Sequence, residues 1–74
     1  MRYHFDLHDG RTLKHEDGEL HPDRAAALKT GQRSLAELID AHSALWAEGR
    51  FSIEVSDQDR RQVGRLTVLA EVLE

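Results

Sequence analysis

The N-terminal segment alternates apolar and polar side chains in the way that a half-buried β-strand does. Tyr3, Phe5 and Leu7 alternate with polar residues, which places these three apolar side chains on one face. The same period of two recurs over residues 51–55 and, less strictly, over residues 63–70. We therefore predict a first strand at the N-terminus and two further strands near the C-terminus.

A second strand is predicted to return from the first through a tight turn. The Asp-Gly pair at residues 9–10 is a strong hairpin signal, and residues 12–15 follow as the returning strand. A two-residue turn would pair Asp6 with Leu13 and leave Leu13 on the solvent face. A three-residue loop instead pairs Phe5 with Leu13 and keeps Leu13 in the core, so we predict this second register.

An amphipathic helix is predicted between the two pairs of strands, from about residue 24 to about residue 48. Asp23 is placed to cap the free N–H groups of the first turn, and Gly49 stands where a C-terminal cap belongs. Apolar residues recur between them at helical spacing and define one buried stripe. They are Leu28, Leu35, Leu38, Ile39, Leu45 and Trp46.

Three residues on this stripe have alternative interpretations. Gly31 costs about 1 kcal/mol of helix stability relative to alanine, which indicates close contact with the sheet or a kink. His42 is a buried, hydrogen-bonded imidazole in one interpretation and a ligand or proton switch in the other. Trp46 packs in the core or at its edge, or it stacks on a ligand.

Residues 1–74 are predicted to form one domain, because a chain of this length buries only about 60% of its unfolded surface and cannot divide that burial between two cores. Two strands, a helix and two strands indicate the α+β class. We predict a two-layer ββαββ sandwich with a four-stranded, mainly antiparallel sheet and one helix packed on one face. Several strand orders satisfy this pattern.

The last predicted strand is apolar on both faces for part of its length. Leu66 and Val68 belong to one face, and Leu69 with Leu73 beyond it belong to the other. Either the C-terminal tail packs on the edge of its own domain, or a second copy covers this surface. Leu66, Leu69 and Leu73 are therefore the candidate interface residues of a homodimer.

Composition narrows the classes of function. The formal net charge of −4 disfavours nucleic-acid binding, which depends on clustered basic residues. The absence of cysteine excludes disulfides, thiolate metal sites and thiol nucleophiles, and it fits a reducing compartment. No apolar stretch approaches the roughly 20 residues of a membrane span, and the N-terminus does not resemble a signal peptide. We expect a cytoplasmic protein without membrane partners.

Motifs for catalysis and cofactor binding are missing from the sequence. It contains no glycine-rich phosphate loop, no Gly-x-Ser-x-Gly elbow and no His-Glu-x-x-His helix. A domain of this size with one helix also offers little concave surface. We therefore expect no enzymatic activity and no cofactor.

His4, Asp6 and His8 are the candidate metal ligands, because they share the polar face of the first strand. Residues four positions apart on a strand stand about 13 Å apart, so the two histidines cannot bind one ion without bending the strand. A site would need one histidine, Asp6 and a ligand from a neighbouring strand. The alternative is a solvated polar face that carries histidines.

The chain resembles a family of short alphaproteobacterial proteins catalogued as the domain of unknown function numbered 6894. The resemblance rests on residues 2–10, Arg-Tyr-His-Phe-Asp-Leu-His-Asp-Gly, on residues 16–23, Glu-Asp-Gly-Glu-Leu-His-Pro-Asp, and on the strand at residues 51–55. His21, which separates Leu20 from Pro22, and the C-terminal strand depart from the family pattern. The resemblance implies the same architecture and a bacterial cytoplasmic origin, and it implies no activity and no functional residues.

The leading functional hypothesis is a non-enzymatic binding or regulatory module that associates with itself or with another protein. The two-sided apolar pattern of the last strand motivates it, since so small a chain cannot easily cover both faces. The rival hypothesis is a metal or small-ligand site on the histidine-bearing face.

Overall fold

A computed structural model of the protein describes residues 1–9, 12–41 and 45–74. None of the helices in these ranges is long and apolar enough to cross a membrane. The elements are β1 (Arg2–His8), β2 (Thr12–Leu13), β3 (Glu19–Leu20), α1 (Arg24–Ala41), α2 (Leu45–Glu48), β4 (Arg50–Ser56) and β5 (Gln62–Leu69).

The strands form one antiparallel sheet in the order β2-β1-β4-β5. The short strand β3 also pairs with β1. It pairs with Arg2 and Tyr3, whereas β2 pairs with Leu7 and His8. Helix α1 packs on one face of this sheet, chiefly against β4 and β5. The predicted α+β class, with an antiparallel sheet and a long helix on one face, is confirmed, and the short strand β3 adds to the four predicted strands.

The core lies between α1 and the sheet. The pairing of β1 with β4 sets Phe5 opposite Val55 and Leu7 opposite Ile53, so the apolar residues of both strands face the helix. This is the face that the period-two pattern predicts. The buried apolar residues are Tyr3, Phe5, Ala27, Leu35, Phe51, Ile53 and Val55.

Gly31 lets the helix approach the sheet closely, as predicted. It is buried on α1, and a Cβ atom built at this position would lie 2.8 Å from Cγ2 of Val55. No real Cβ contact is so short, so a side chain here requires the helix or Val55 to move. Close packing therefore accounts for a glycine inside the helix.

Both predicted helix caps are present. The amide of Ala26 donates a 2.9 Å hydrogen bond to Oδ1 of Asp23, which satisfies a free N–H group of the first turn. Gly49 has a φ of 76° after α2, and its amide donates to the carbonyl of Leu45. The glycine supplies the left-handed conformation that ends a helix.

The described residues of the predicted helix, from about residue 24 to about residue 48, are helical. They form α1 over Arg24–Ala41 and α2 over Leu45–Glu48, and residues 42–44 lie outside the described residues. Leu45 packs against the core, whereas Trp46 is 63% exposed, so the interpretation that Trp46 packs in the core is wrong. His42 lies outside the described residues.

The predicted register of the first hairpin is wrong as well. Leu13 stands opposite Leu7, two residues further along β1 than the predicted pairing with Phe5. Leu13 is exposed, because α1 packs chiefly over β4 and β5 and leaves the β2 side of the sheet uncovered. The prediction assumed that Leu13 is buried. Residues 10–11 of the turn lie outside the described residues.

Candidate functional site

The sheet face opposite α1, here called the open face, carries the polar side chains of both central strands. His4, Asp6 and His8 of β1 lie on it, as the alternating pattern predicts. The antiparallel pairing sets them opposite Ser56, Glu54 and Ser52 of β4, in that order.

The edge strand beside β1 is interrupted. Leu13 of β2 pairs with Leu7, but Leu20 of β3 pairs with Arg2, so the edge strand has two more residues than β1 between these pairs. The extra length lies in residues 14–18, which leave the regular ladder. Gly18 closes this segment with a φ of 75°, and a Cβ atom there would stand only 3.0 Å from the carbonyl oxygen of Tyr3. Glycine is the residue that accepts this conformation.

Side chains replace the missing ladder hydrogen bonds at this interruption. The amide of His15 donates to Oδ1 of Asp6 at 2.9 Å, and the amide of Phe5 donates to Nδ1 of His15 at 3.2 Å. Nδ1 of the buried His4 lies 2.7 Å from the carbonyl oxygen of His15 and must be the donor, since a carbonyl only accepts. His15 therefore connects the break to β1 through both its backbone and its ring.

Arg60 joins this group from the turn between β4 and β5. Its Nη1 donates to both carboxylate oxygens of Asp6, at 3.2 and 3.1 Å, and its Nη2 donates to the carbonyl of His15 at 3.2 Å. We call Asp6, His15 and Arg60 the Asp6 cluster. Arg60 has a φ of 63°, a conformation that costs a residue with a side chain about 1–2 kcal/mol. Such strain often marks a residue whose side chain has a specific task.

The Asp6 cluster lowers the pKa of its carboxyl group. Partial burial by itself would raise the pKa of Asp6, but the hydrogen bond from the His15 amide and the adjacent Arg60 guanidinium outweigh that effect. The carboxylate is therefore held in its charged form. It acts as an acceptor that fixes two parts of the chain.

A second group, the Glu54 cluster, lies beside the first. Oε1 of Glu54 is 2.9 Å from Nε2 of His8 and 3.5 Å from Nη2 of Arg65, and Gln62 donates to its other oxygen. A cleft of about 420 Å³ lies between the clusters. We call it the polar cleft; its lining residues are Asp6, Lys14, Glu16, Glu54, Ser56, Arg60 and Gln62.

The three predicted metal ligands share the open face, but each is bound to a different neighbour. His4 contacts the His15 carbonyl, Asp6 the Arg60 guanidinium and His8 the Glu54 carboxylate. Across residues 1–9, 12–41 and 45–74, no three or more histidine, aspartate or glutamate side chains are grouped so as to hold an ion. The metal site remains a prediction.

Sequence reasoning missed Glu54 and Arg60, and it excluded His15 because the predicted register places His15 on the face opposite to Asp6. The alternation in β4 places Glu54 on the open face. The sequence does not show that β4 pairs with β1, and this pairing is what brings Glu54 beside Asp6 and His8. His15 and Arg60 carry no local signal, because their contacts to Asp6 span 9 and 54 positions of the chain. Only the interrupted pairing of β1 brings them together.

The predicted interface residues are exposed at the other edge of the sheet, which β5 forms. Leu66 is 42% exposed on the helix-facing side, opposite Ile53, and Leu69 is 68% exposed on the open face, opposite Arg50. Leu73 follows in the C-terminal tail and is 85% exposed. These three leucines do not pack on their own domain as a buried cluster.

Comparison with known proteins identifies a family. No curated protein and no solved structure matches the chain significantly. A family model described as "Domain of unknown function (DUF6894)" matches residues 2–70, almost the whole chain. This is the family that the N-terminal strand and the acidic glycine turn indicate. The chain belongs to the DUF6894 family.

Proposed function

We propose that this protein is a non-enzymatic binding or regulatory module that associates with a second copy of itself through β5. The observation that carries the proposal is the edge position of this strand. β5 is eight residues long and stands at the end of the sheet, with β4 as its strand partner in the described part of the chain. Its outer backbone groups are therefore available to pair with another strand.

The usual protections against edge pairing are weak in β5. Such edges are commonly short, interrupted by proline or a bulge, or guarded by charges. β5 is long and contains no proline, and its irregularity lies at one end, opposite Val55 and Ser56. The charged residue of the strand, Arg65, lies 3.5 Å from Glu54 of its own chain. The strand is thus suited to pairing.

The exposed surface of the molecule supports the same proposal. The accessible surface is 5300 Å² for an 8.4 kDa chain. A compact monomer of this mass exposes about 4600 Å², so the excess is about 700 Å². A standard interface buries about 800 Å² on each partner. The excess is therefore close to what one interface covers.

The polar cleft supports the non-enzymatic part of the proposal. Two of its three carboxylates, those of Asp6 and Glu54, are bound by cationic or amide groups of the same chain. A general acid or base needs a carboxyl group that is directed at a substrate. These carboxylates instead fix the turns and strands around them.

Light scattering of the wild type and two matched variants tests self-association. Leu69→Lys places a charge on the β5 edge, and the control Leu20→Lys places the same charge on the opposite edge at a leucine of similar exposure, 70% against 68%. We expect a dimeric mass for the wild type and the control, and a monomeric mass for Leu69→Lys. A monomeric wild type at millimolar concentration would reject the proposal.

The rival function is metal binding on the open face, and the contact between His8 and Glu54 favours it. An imidazole nitrogen 2.9 Å from a carboxylate oxygen supplies two ligand types that zinc accepts. Thermal unfolding with and without zinc or nickel tests this function, with His8→Ala as the control. A metal-dependent rise in the midpoint that the control lacks would support it, and an unchanged midpoint would reject it.

A further inference from the structure

An apolar groove of about 510 Å³ lies between α1 and β5, on the helix-facing side of the exposed edge. Leu28 of α1 lines it on one side, and Gly64 and Leu66 of β5 line it on the other. A Cβ atom at Gly64 would overlap the side chain of Leu28. Leu28 therefore fills the space above Gly64, and the groove runs past both residues directly beside the backbone that a second β5 would pair with.

Charged residues flank β5 on both sides. Arg61 directly precedes the strand, in a turn that also contains Asp57, Asp59 and the Asp6-bound Arg60, and Glu71 follows the strand. Antiparallel pairing of two copies sets Glu71 of each near Arg61 of the other, whereas parallel pairing sets Arg61 against Arg61 and Glu71 against Glu71. Opposite charges across a strand pair stabilise it, and like charges destabilise it. Charge complementarity thus selects a second copy, in antiparallel orientation, as the occupant of this edge.

Two-fold symmetry then restricts the register. In an antiparallel sheet, the side chains of directly opposed residues point to the same face. A two-fold axis perpendicular to the joined sheet must therefore pass between the two copies of one β5 residue, which stands opposite itself. An axis at Arg65 would set two guanidinium groups opposite each other. An axis at Thr67 would set Arg65 opposite Leu69 of the second copy. An axis at Leu66 pairs two exposed leucines and sets Val68 of the second copy opposite Gly64.

We propose that two copies pair through residues 64–68 of β5 with Leu66 on the two-fold axis, so that Val68 of each copy covers the groove beside Gly64 of the other. This inference rests on the proposed self-association and specifies its geometry. Regular pairing ends at the irregularity next to Gln62. Beyond it, Glu71 of the tail stands opposite Arg61 of the second copy.

Charge exchange tests the antiparallel orientation. Arg61→Glu and Glu71→Arg should each raise the dissociation constant of the dimer about five- to tenfold, and the double variant should restore it. Arg33→Glu on α1 is a control with the same charge change at an exposed position outside the strand and its flanking segments. Equal effects of the single and double variants would overturn the orientation.

Cysteine scanning tests the register, because the chain has no cysteine of its own. Opposed residues on the axis have Cα atoms about 4.5–5.5 Å apart, within disulfide range, whereas residues one position away from the axis are separated by roughly 8 Å. We expect oxidation to cross-link Leu66→Cys in most of the protein. Arg65→Cys, Thr67→Cys and Val68→Cys should cross-link little, and circular dichroism checks that each variant is folded.

The outcomes separate this inference from the proposed function. A dimeric mass with preferential cross-linking at residue 66 supports both. A dimeric mass with the strongest cross-link at residue 65, 67 or 68 overturns the register and leaves self-association standing. A monomeric mass with no cross-link at any of the four positions overturns both.

Discussion

At the scale of single residues, Arg60 combines a strained backbone with a long-range contact. Its φ of 63° favours glycine, yet its guanidinium holds the Asp6 carboxylate and the His15 carbonyl on the far side of β1. The turn itself is held by Asp57, whose carboxylate accepts from the amides of Asp59 and Arg61. The amide of Arg60 belongs to this turn, since it donates to the Asp57 carbonyl at 2.9 Å, and its side chain adds the long-range contact.

We predict that Arg60→Gly is more stable than Arg60→Ala by about 1 kcal/mol. Both variants lose the contacts to Asp6, worth about 1 kcal/mol for a partly exposed ion pair, but only glycine relieves the backbone strain. Urea unfolding measures the difference. In an Asp6→Asn background, removing Arg60 should cost less than in the wild type. Equal stability of the glycine and alanine variants would contradict this explanation of the strain.

The Asp6 carboxyl also predicts a pH dependence. Its folded-state pKa is lower than the ordinary value of 3.8, so folding favours its charged form. This contribution is fully present above the unfolded-state pKa and is lost as the pH falls through the folded-state pKa. Wild-type stability should therefore decrease below about pH 4 more steeply than that of Asp6→Asn. Urea unfolding from pH 6 to pH 2 measures both slopes, and parallel slopes would contradict the prediction.

The sequence predicts part of these clusters for a simple reason. Alternation in β1 places His4, Asp6 and His8 on one face whatever the strand order. The partners that bind them depend on how β1, β4 and the edge strand are aligned. His15 and Arg60 become visible only when that alignment is known.

At the scale of elements, periodic burial predicts β1, β4, β5 and most of α1. Each of these has one face against the core, so its hydrophobic pattern reports its structure. The short edge strands β2 and β3 do not, because they bury little. The hairpin register was wrong for that reason: Leu13 was assigned to a core that does not extend to it.

The contact between α1 and the sheet predicts a destabilising alanine. Gly31→Ala gains about 1 kcal/mol of helix propensity, but its Cβ would lie 2.8 Å from Val55 and would displace the helix. We expect a net loss of about 1–3 kcal/mol, as is typical of overpacked cores. In a Val55→Ala background the same substitution should be neutral or stabilising. Thermal unfolding of the four proteins measures this coupling, and additive effects would contradict it.

At the scale of the whole molecule, the protein is elongated. Its principal extents are 46, 20 and 18 Å, and its radius of gyration is 13.0 Å. A compact domain of this length would have a radius of gyration of roughly 11 Å. One helix covers one face of the sheet, and the β5 edge with the tail beyond it carries exposed leucines. Association of two copies at this edge joins the two sheets into one.

Amide hydrogen exchange of the wild type at two protein concentrations tests self-association through β5 most directly. The account predicts that exchange at residues 64–69 slows as the concentration rises, while β3, at the opposite edge, exchanges at the same rate in both samples. Equal exchange of β5 at both concentrations, or slowing confined to the β2–β3 edge, would contradict it.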